Sequence, residues 1–157
     1  MPERPDSERH LLLVCSPGGH LLQMLRLEPA WGSMLCSWVS LEAADSRSLL
    51  RGQSVTFATG PTNRSLRATL ANLRLAWRLV RDQRPAAILS TGAALAVPFF
   101  IVGKLHGCRL VYVESVTRIE SLSLSGKIVY PLADAFFVQW PKAAGRRRRA
   151  RFVGGLL

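Results

Sequence analysis

No stretch of this chain is apolar for long enough to cross a bilayer. The longest uninterrupted apolar run, residues 93–102, is about half of the ~20 residues a spanning helix requires. The opening MPERPDSERH is charged and proline-bearing, so neither a signal peptide nor a membrane anchor is expected there. Cysteine is scarce and odd in number: Cys15, Cys36 and Cys108 stand in or beside candidate strands, with no metal-ligand spacing. That pattern predicts free thiols rather than disulfides or a zinc site. Lysine is nearly missing, with only Lys104, Lys127 and Lys142, so the net charge of +11 is an arginine charge. There is no internal repeat, no low-complexity tract, and no zinc, helix-turn-helix or RNA-recognition signature. Nucleic-acid binding would rest on charge alone, and no nucleic-acid partner is expected. The first turn lacks G-x-G-x-x-G, and no acidic residue ends the second strand at Ser40 (Glu42 comes slightly later), which disfavours a dinucleotide-dependent oxidoreductase. With 157 residues the chain can bury one ordinary core but cannot hold two nucleotide-binding domains and a cleft between them.

What the chain does contain is a succession of short apolar segments separated by turns. Residues 11–15 are apolar and lead at once into SPGGH (16–20), after which a helical pattern begins at Leu21. Strand, glycine turn and helix in that order aim backbone N–H groups and a helix N-terminus at an anion. The same features return after 86–90. There the turn Thr91-Gly92-Ala93 precedes an apolar helix at 97–105, with Pro98 near its start, where a missing N–H costs little. Further strands are expected at 35–39, 55–58, 110–113 and 135–138. The order β-α-β-β-α-β-α-β-α-β, in runs apolar on both faces, predicts an α/β fold with a Rossmann-like parallel sheet covered by helices. PTNRS (61–65) reads as a turn and N-cap, with Asn63 or Thr62 in the capping role.

The strand at 110–113 runs out into Glu114, Ser115, Thr117, Arg118 and Glu120, and a short helix follows. In an α/β sheet, ligands sit in the crevice beyond the carboxyl ends of the strands. A carboxylate, hydroxyls and a guanidinium delivered there suit a polyhydroxylated or phosphorylated ligand.

The arginines are not spread evenly. Between Arg64 and Arg84 an apolar seam of Leu66, Leu70, Leu73, Trp77 and Val80 recurs at helical spacing. Arg67, Arg74, Arg78 and Arg81 form a stripe about a quarter-turn away. A basic band beside an apolar face fits a protein resting on anionic lipid, whereas Leu75 and Leu79 on the opposite side favour a buried helix with snorkelling arginines. A second run, at 146–149 and 151, leads into the apolar ending Phe152, Val153, Leu156 and Leu157, which calls for a hydrophobic surface on this domain or on another chain.

Three segments in this order carry a family resemblance: CSPGGHLLQML (15–25), GPTNRSLRATLANLRLAWRLVRDQRPAAILSTGAALAVPFF (60–100) and VYVESVTRIESLSLSGKIVYPLADAFFVQWP (111–141). Through them the chain resembles the asparagine-linked glycosylation fourteen (Alg-fourteen) family, in particular its bacterial polysaccharide-biosynthesis members of the PssD and EpsE type. The closing ARFVGGLL also looks like the tail of that family. More distantly, the two glycine turns and Glu114 are similar to the acceptor half of the peptidoglycan glycosyltransferase MurG. The resemblance implies the single N-terminal half of a GT-B glycosyltransferase. It would bind a lipid-linked sugar acceptor, while a separate Alg-thirteen-like catalytic subunit binds the donor. Relatives transfer N-acetylglucosamine, galactose or glucuronic acid from a UDP-sugar, typically in β-1,4 linkage. No metal and no cofactor beyond the donor substrate is implied, and no D-x-D ligand motif is present. Residues 1–141 would form the acceptor-binding domain and 142–157 a basic and apolar tail for partner or membrane docking. Eukaryotic members carry an N-terminal membrane helix; the first strand expected here begins at Leu11, so association with an anionic membrane surface, at the cytoplasmic face of the cell membrane, is expected to be peripheral.

An inverting transfer needs a base to take the acceptor hydroxyl proton as that oxygen attacks the anomeric carbon and UDP leaves. His20, beside a helix N-terminus, and Glu114 are both candidates for that role, and the sequence does not choose between them. Phosphate or sugar contacts are expected from Ser16, Gly18, Gly19, Gly92, Ser115 and Arg118. The membrane contact falls to Arg67, Arg74, Arg78 and Arg81, and the partner contact to Phe152, Val153, Leu156 and Leu157. The competing reading is a non-catalytic module that anchors or enhances a separate transferase.

Overall fold

The computed structural model describes residues 9–62 and 65–156. Seven strands pair in one sheet: β1 (His10–Cys15), β2 (Leu35–Leu41), β3 (Val55–Ala58), β4 (Ala87–Gly92), β5 (Arg109–Val113), β6 (Ala135–Val138) and β7 (Ala150–Phe152). Their spatial order is β3-β2-β1-β4-β5-β6-β7, and every pairing is parallel. Parallel neighbours require a crossover between them. The helices that make these crossovers include α1 (Gly19–Arg26), α2 (Glu28–Trp31), α3 (Ala44–Leu49), α4 (Leu66–Gln83), α5 (Ala96–Leu105), α6 (Leu124–Val129) and α7 (Pro141–Ala144). The six strands expected from apolar runs are all present. The additions are α3, too short and polar to show a helical period, the single turns α2 and α7, and β7, which lies inside an arginine-rich stretch.

Because strand side chains alternate between faces, the apolar runs build two core layers. Leu12, Val14, Ile88, Leu110 and Tyr112 point to one layer, under α4, α5 and α6. Leu11, Leu13, Leu89 and Val113 point to the other, where α1 and α2 supply Leu21, Met24 and Trp31. The approach of α5 to the sheet is close enough that a Cβ at Gly103 would lie 2.6 Å from Ile88 Cδ1. The three cysteines are free thiols; burial, with Asp45 as a second cause, pushes Cys15 up to about 12.

Helix α4 buries Val80 of the apolar seam fully and Leu73 in part. Its core face is Ala68, Asn72, Ala76, Leu79 and Val80, while Leu66, Leu70 and Trp77 are exposed. Small side chains let α4 pack closely against α5, and the larger ones are left outside. Asn72 is buried because its amide pairs with both backbone groups of Thr59, each at 2.9 Å, fixing the chain after β3. The cap of α4 is Ser65, whose Oγ accepts from Ala68 N–H at 3.2 Å, rather than Thr62; Asn63 lies outside the described residues.

The segment expected as a separate tail is in part a piece of the sheet. β7 runs beside β6, with Val138 opposite Phe152. Arg149 lies along the domain surface: its guanidinium donates to the carbonyls of Tyr130 (3.0 Å) and Ala133 (3.4 Å) and lies 5.0 Å from the Tyr130 ring centre. Arg147 approaches the same ring at 6.0 Å. Two members of the arginine run therefore have structural partners.

Asp134, just before β6, accepts from Leu110 N–H at 2.8 Å and from Lys104 Nζ at 3.1 Å. The Leu110 hydrogen bond, and after it Lys104, hold this carboxyl below its ordinary range. A carboxyl lowered in the folded state stabilises fully above its unfolded pKa and loses that contribution as pH falls through the folded value. Asp134→Asn is expected to cost about 1 kcal/mol at pH 7, with the gap to wild type closing as pH falls below the ordinary carboxylate range. Urea melts of both proteins across that range check this; a pH-independent gap would place the effect elsewhere.

Candidate functional site

The strand order reverses direction at the β1–β4 boundary, and connections leave the sheet there toward opposite faces. The turn after β1 feeds α1 on one side, and the turn after β4 feeds α5 on the other. A crevice opens between them beyond the carboxyl ends of the strands, where doubly wound sheets bind ligands. Here it is a cavity of about 670 Å³. Ser16 and His20 line it from the first turn, Ala93 and Ala94 from the second, and Glu114, Ser115, Thr117 and Arg118 from the segment after β5. Pro61 and Thr62 close one side, and Ser123, Leu124 and Ser125 close another.

His20 is fixed by two reciprocal bonds. Its Nδ1 lies 2.8 Å from the Thr91 carbonyl, and Thr91 Oγ1 donates to the His20 carbonyl at 2.7 Å. A carbonyl only accepts, so Nδ1 carries the proton and Nε2 is the basic nitrogen of the neutral ring. The imidazole packs directly on Gly92. A Cβ there would lie 3.0 Å from His20 Cε1 and 3.2 Å from the Tyr112 hydroxyl, and φ of 116° already favours glycine. Burial, and then the Glu114 charge, push the Tyr112 hydroxyl well above its ordinary value, so it stays protonated.

Glu114 has a different setting. It is 1% exposed, and its carboxylate accepts from Ser115 N–H, Ser123 N–H and Ser123 Oγ, each at 3.0 Å. Ser123 in turn caps α6 by accepting from Gly126 N–H at 2.9 Å, and a Cβ at Gly126 would collide with the Glu114 carboxylate. Glu114 thus ties the end of β5 to the start of α6.

The N–H groups expected to face a phosphate at two of the glycines have partners inside the domain. Gly18 N–H donates to Asp45 Oδ2 at 2.6 Å, and Gly92 N–H to Ser90 Oγ at 3.1 Å. Gly18 serves the turn through its φ of 76°, and Gly92 gives room to the imidazole. Ser115 Oγ lies 3.0 Å from Thr117 Oγ1, and the Arg118 guanidinium stands exposed at the rim. Arg67, Arg74, Arg78 and Arg81 are exposed on α4, away from the cavity. Of the four apolar tail residues, Phe152 and Val153 are exposed, Leu156 is half-buried against the domain's own core, and Leu157 lies outside the described residues.

This geometry sits in a chain with clear relatives. A family model described as "Oligosaccharide biosynthesis protein Alg14 like" matches residues 59–156. The chain belongs to the Alg14-like family. A UDP-N-acetylglucosamine transferase subunit ALG14 of Eremothecium gossypii is 33% identical, over 95% of this chain and 80% of that protein. The subunit of the same name from Schizosaccharomyces pombe is 32% identical, over 94% of this chain and 83% of that one. Among solved structures, MurG of Acinetobacter baumannii superposes with a TM-score of 0.78 at 14% identity, covering 94% of this chain. An MnaA of S. aureus solved with UDP superposes at 0.71, also at 14% identity and 94% of this chain. At that identity the likeness is one of fold, and it matches one half of a GT-B architecture. The chain spans 45% of that MurG and 44% of that MnaA.

Several residues of this Alg14-like site carried little sequence signal. Asp45, Ser123, Gln23 and Gln139 are ordinary polar residues in sequence and acquire partners only through the fold. Ser123 was the most legible of them, since a serine before LSGKIV has the form of an N-cap.

Gly92→Ala should push the imidazole off its seat. The expected result is a shifted set of His20 ring resonances with a loss of about 1–3 kcal/mol. Gly52 also has a positive φ (84°) but has open space around it, so Gly52→Ala should cost about 1 kcal/mol and leave His20 unmoved. Nitrogen-detected spectra of both variants, with urea melts, separate close approach from backbone strain; an unmoved His20 signal in Gly92→Ala would contradict the packing argument.

Proposed function

We propose that this chain is the acceptor-binding half of a split, inverting UDP-sugar glycosyltransferase, with His20 as the general base. The observation that carries the reading is the His20–Thr91 pair, which leaves Nε2 as the basic nitrogen in a polar cavity at the sheet's switch point. Nε2 takes the proton of the acceptor hydroxyl while that oxygen bonds to the anomeric carbon of the donor. The bond from that carbon to the UDP phosphate oxygen breaks, and UDP leaves with the electron pair. The Thr91 carbonyl stabilises the imidazolium that forms. Glu114, whose carboxylate already accepts three hydrogen bonds, is assigned to orienting the 115–118 segment, where Ser115, Thr117 and Arg118 would hold acceptor hydroxyls or its diphosphate.

The names of the relatives support N-acetylglucosamine as the transferred sugar, and the resemblance to PssD- and EpsE-type proteins supports a lipid-linked acceptor in polysaccharide or glycolipid biosynthesis. The relatives are named as transferase subunits, which supports a second, Alg-thirteen-like chain that supplies the donor half. Two apolar surfaces suit the neighbours this arrangement needs. On α4 and α5, Leu66, Leu70, Trp77 and Leu105 are exposed beside Arg67, Arg74, Arg78 and Arg81, which suits peripheral binding to anionic lipid at the cytoplasmic face. Among the described residues no helix is long and apolar enough to cross a membrane. On the opposite face, beyond α1 and α2, an apolar cleft of about 410 Å³ lies over β4–β6 and is bordered by Val153 and Leu156. That cleft suits a hydrophobic segment of the donor-binding chain.

In the assembled pair, His20→Ala should lower kcat by about 10²–10⁴-fold with the fold and partner affinity kept. Glu114→Ala should lower stability and turnover together. Transfer of UDP-sugar by the chain alone at the rate of the pair, or His20→Ala activity within a few-fold of wild type, would defeat the assignment.

Charge reversal of Arg74, Arg78 and Arg81 together should release the protein from vesicles rich in anionic lipid, as should raised salt. Each such residue contributes on the order of 1 kcal/mol at a charged surface. Sedimentation of vesicles with bound protein checks this, and binding indifferent to both treatments would return these arginines to a structural role.

A further inference from the structure

Behind the cavity lies a buried polar cluster that catalysis does not use. Gln23, in α1, and Gln139, just after β6, are 3% and 4% exposed, and their side-chain amides bond to one another, with Gln139 Nε2 donating to Gln23 Oε1. Every polar atom of the pair has a partner. Gln139 Nε2 also donates to the Glu114 carbonyl at 3.0 Å, and Gln139 Oε1 accepts from Leu156 N–H at 2.9 Å. Gln23 Oε1 accepts from Val116 N–H at 3.1 Å, and Gln23 Nε2 donates to the Gly19 carbonyl at 3.1 Å. Trp140, next along the chain, donates from Nε1 to the Val116 carbonyl at 2.6 Å.

Packing alone does not call for two amides here. Burying them carries a desolvation cost that only full satisfaction offsets, and a fully satisfied buried network fixes one arrangement of the segments it joins. The segments joined are the end of the chain at Leu156, the 114–116 stretch beside the cavity, and the first turn of α1, which carries His20. Leu156 also forms a wall of the apolar cleft over β4–β6. Leu156 stands one hydrogen bond from Gln139 and two from Gln23. If the Leu156 N–H is withdrawn, Gln139 Oε1 loses its partner and the amide is free to turn. It then no longer presents its donors to Glu114 and Gln23.

We infer that Gln139 and Gln23 are positioning residues that hold the Glu114–Arg118 segment and the α1 turn bearing His20 in one arrangement, tied to the end of the chain at Leu156. The inference rests on the split-transferase reading for the role of His20, while the network itself is a property of this chain.

Two substitutions cut the network at different points. Gln139→Met keeps the volume and removes the amide; Leu156→Pro removes the N–H. Leu156→Ala is the control, because it trims the apolar side chain and keeps the N–H. Amide hydrogen exchange on each full chain alone should show Val116 exchanging at least about 10-fold faster in Gln139→Met and in Leu156→Pro, since local opening is what exchange reports. Ile88 and Leu89 in β4 should stay at wild-type rates, and Leu156→Ala should leave Val116 near wild type. In the assembled pair at saturating partner, the first two variants should lower kcat about 10-fold with the KM for UDP-sugar unchanged. Val116 exchange within twofold of wild type in both variants, or acceleration spread evenly over β4, would reduce the amides to core filling and overturn the inference. If the wild-type pair transfers no sugar, the split-transferase reading fails, and the exchange pattern still decides the coupling.

Discussion

The pair of hydrogen bonds between His20 and Thr91 joins the two turns on which the rest of the site depends. One turn follows β1 and the other β4, neighbouring strands whose connections leave the sheet toward opposite faces. Without a tie across that boundary, the two loops would be independent ends of separate crossovers. With it, the imidazole has one tautomer and one seat, on a glycine that leaves room for nothing larger. The cavity takes its position from the same boundary.

Loops beyond the carboxyl ends of a parallel sheet have no ladder to satisfy their backbone groups, and buried backbone groups must still be paired. This chain pairs them with side chains. Asn72 takes both groups of Thr59, Ser46 Oγ donates to the Leu41 carbonyl, and Glu114 accepts from Ser115 and Ser123. Gln23 and Gln139 serve Val116, Gly19, Glu114 and Leu156. These polar residues stand in the core because the loops need them, and they give irregular segments a fixed geometry around the cavity.

The two layers of the domain are covered unequally. α4, α5 and α6 close one face and carry the exposed leucines, Trp77 and arginines on their outer side. α1 and α2 close part of the other, leaving Val111 and Phe137 only partly buried at the open cleft. The two apolar surfaces therefore lie on opposite sides of the sheet.

The sequence by itself determined the strands, the two glycine turns and the family, because runs apolar on both faces and a glycine next to a strand end are local signals. It brought His20, Glu114, Ser115 and Arg118 forward as one group, since each stands just past a strand in a parallel sheet, and such residues meet at one edge. It left open which carboxylate or imidazole acts as a base, and whether the face of Leu66, Leu70 and Trp77 on α4 meets lipid or lies buried. A helical period shows that residues share a face; which face is buried depends on how near the neighbouring helix comes, and here α5 comes near enough to select Ala68 and Ala76. Only the tertiary structure decided the partners of Glu114, Gly18 and Gly92, the joining of Ala150–Phe152 to the sheet, and the meeting of Gln23 with Gln139. Those contacts form between residues far apart in the chain, where no local pattern records which donor will stand opposite which acceptor.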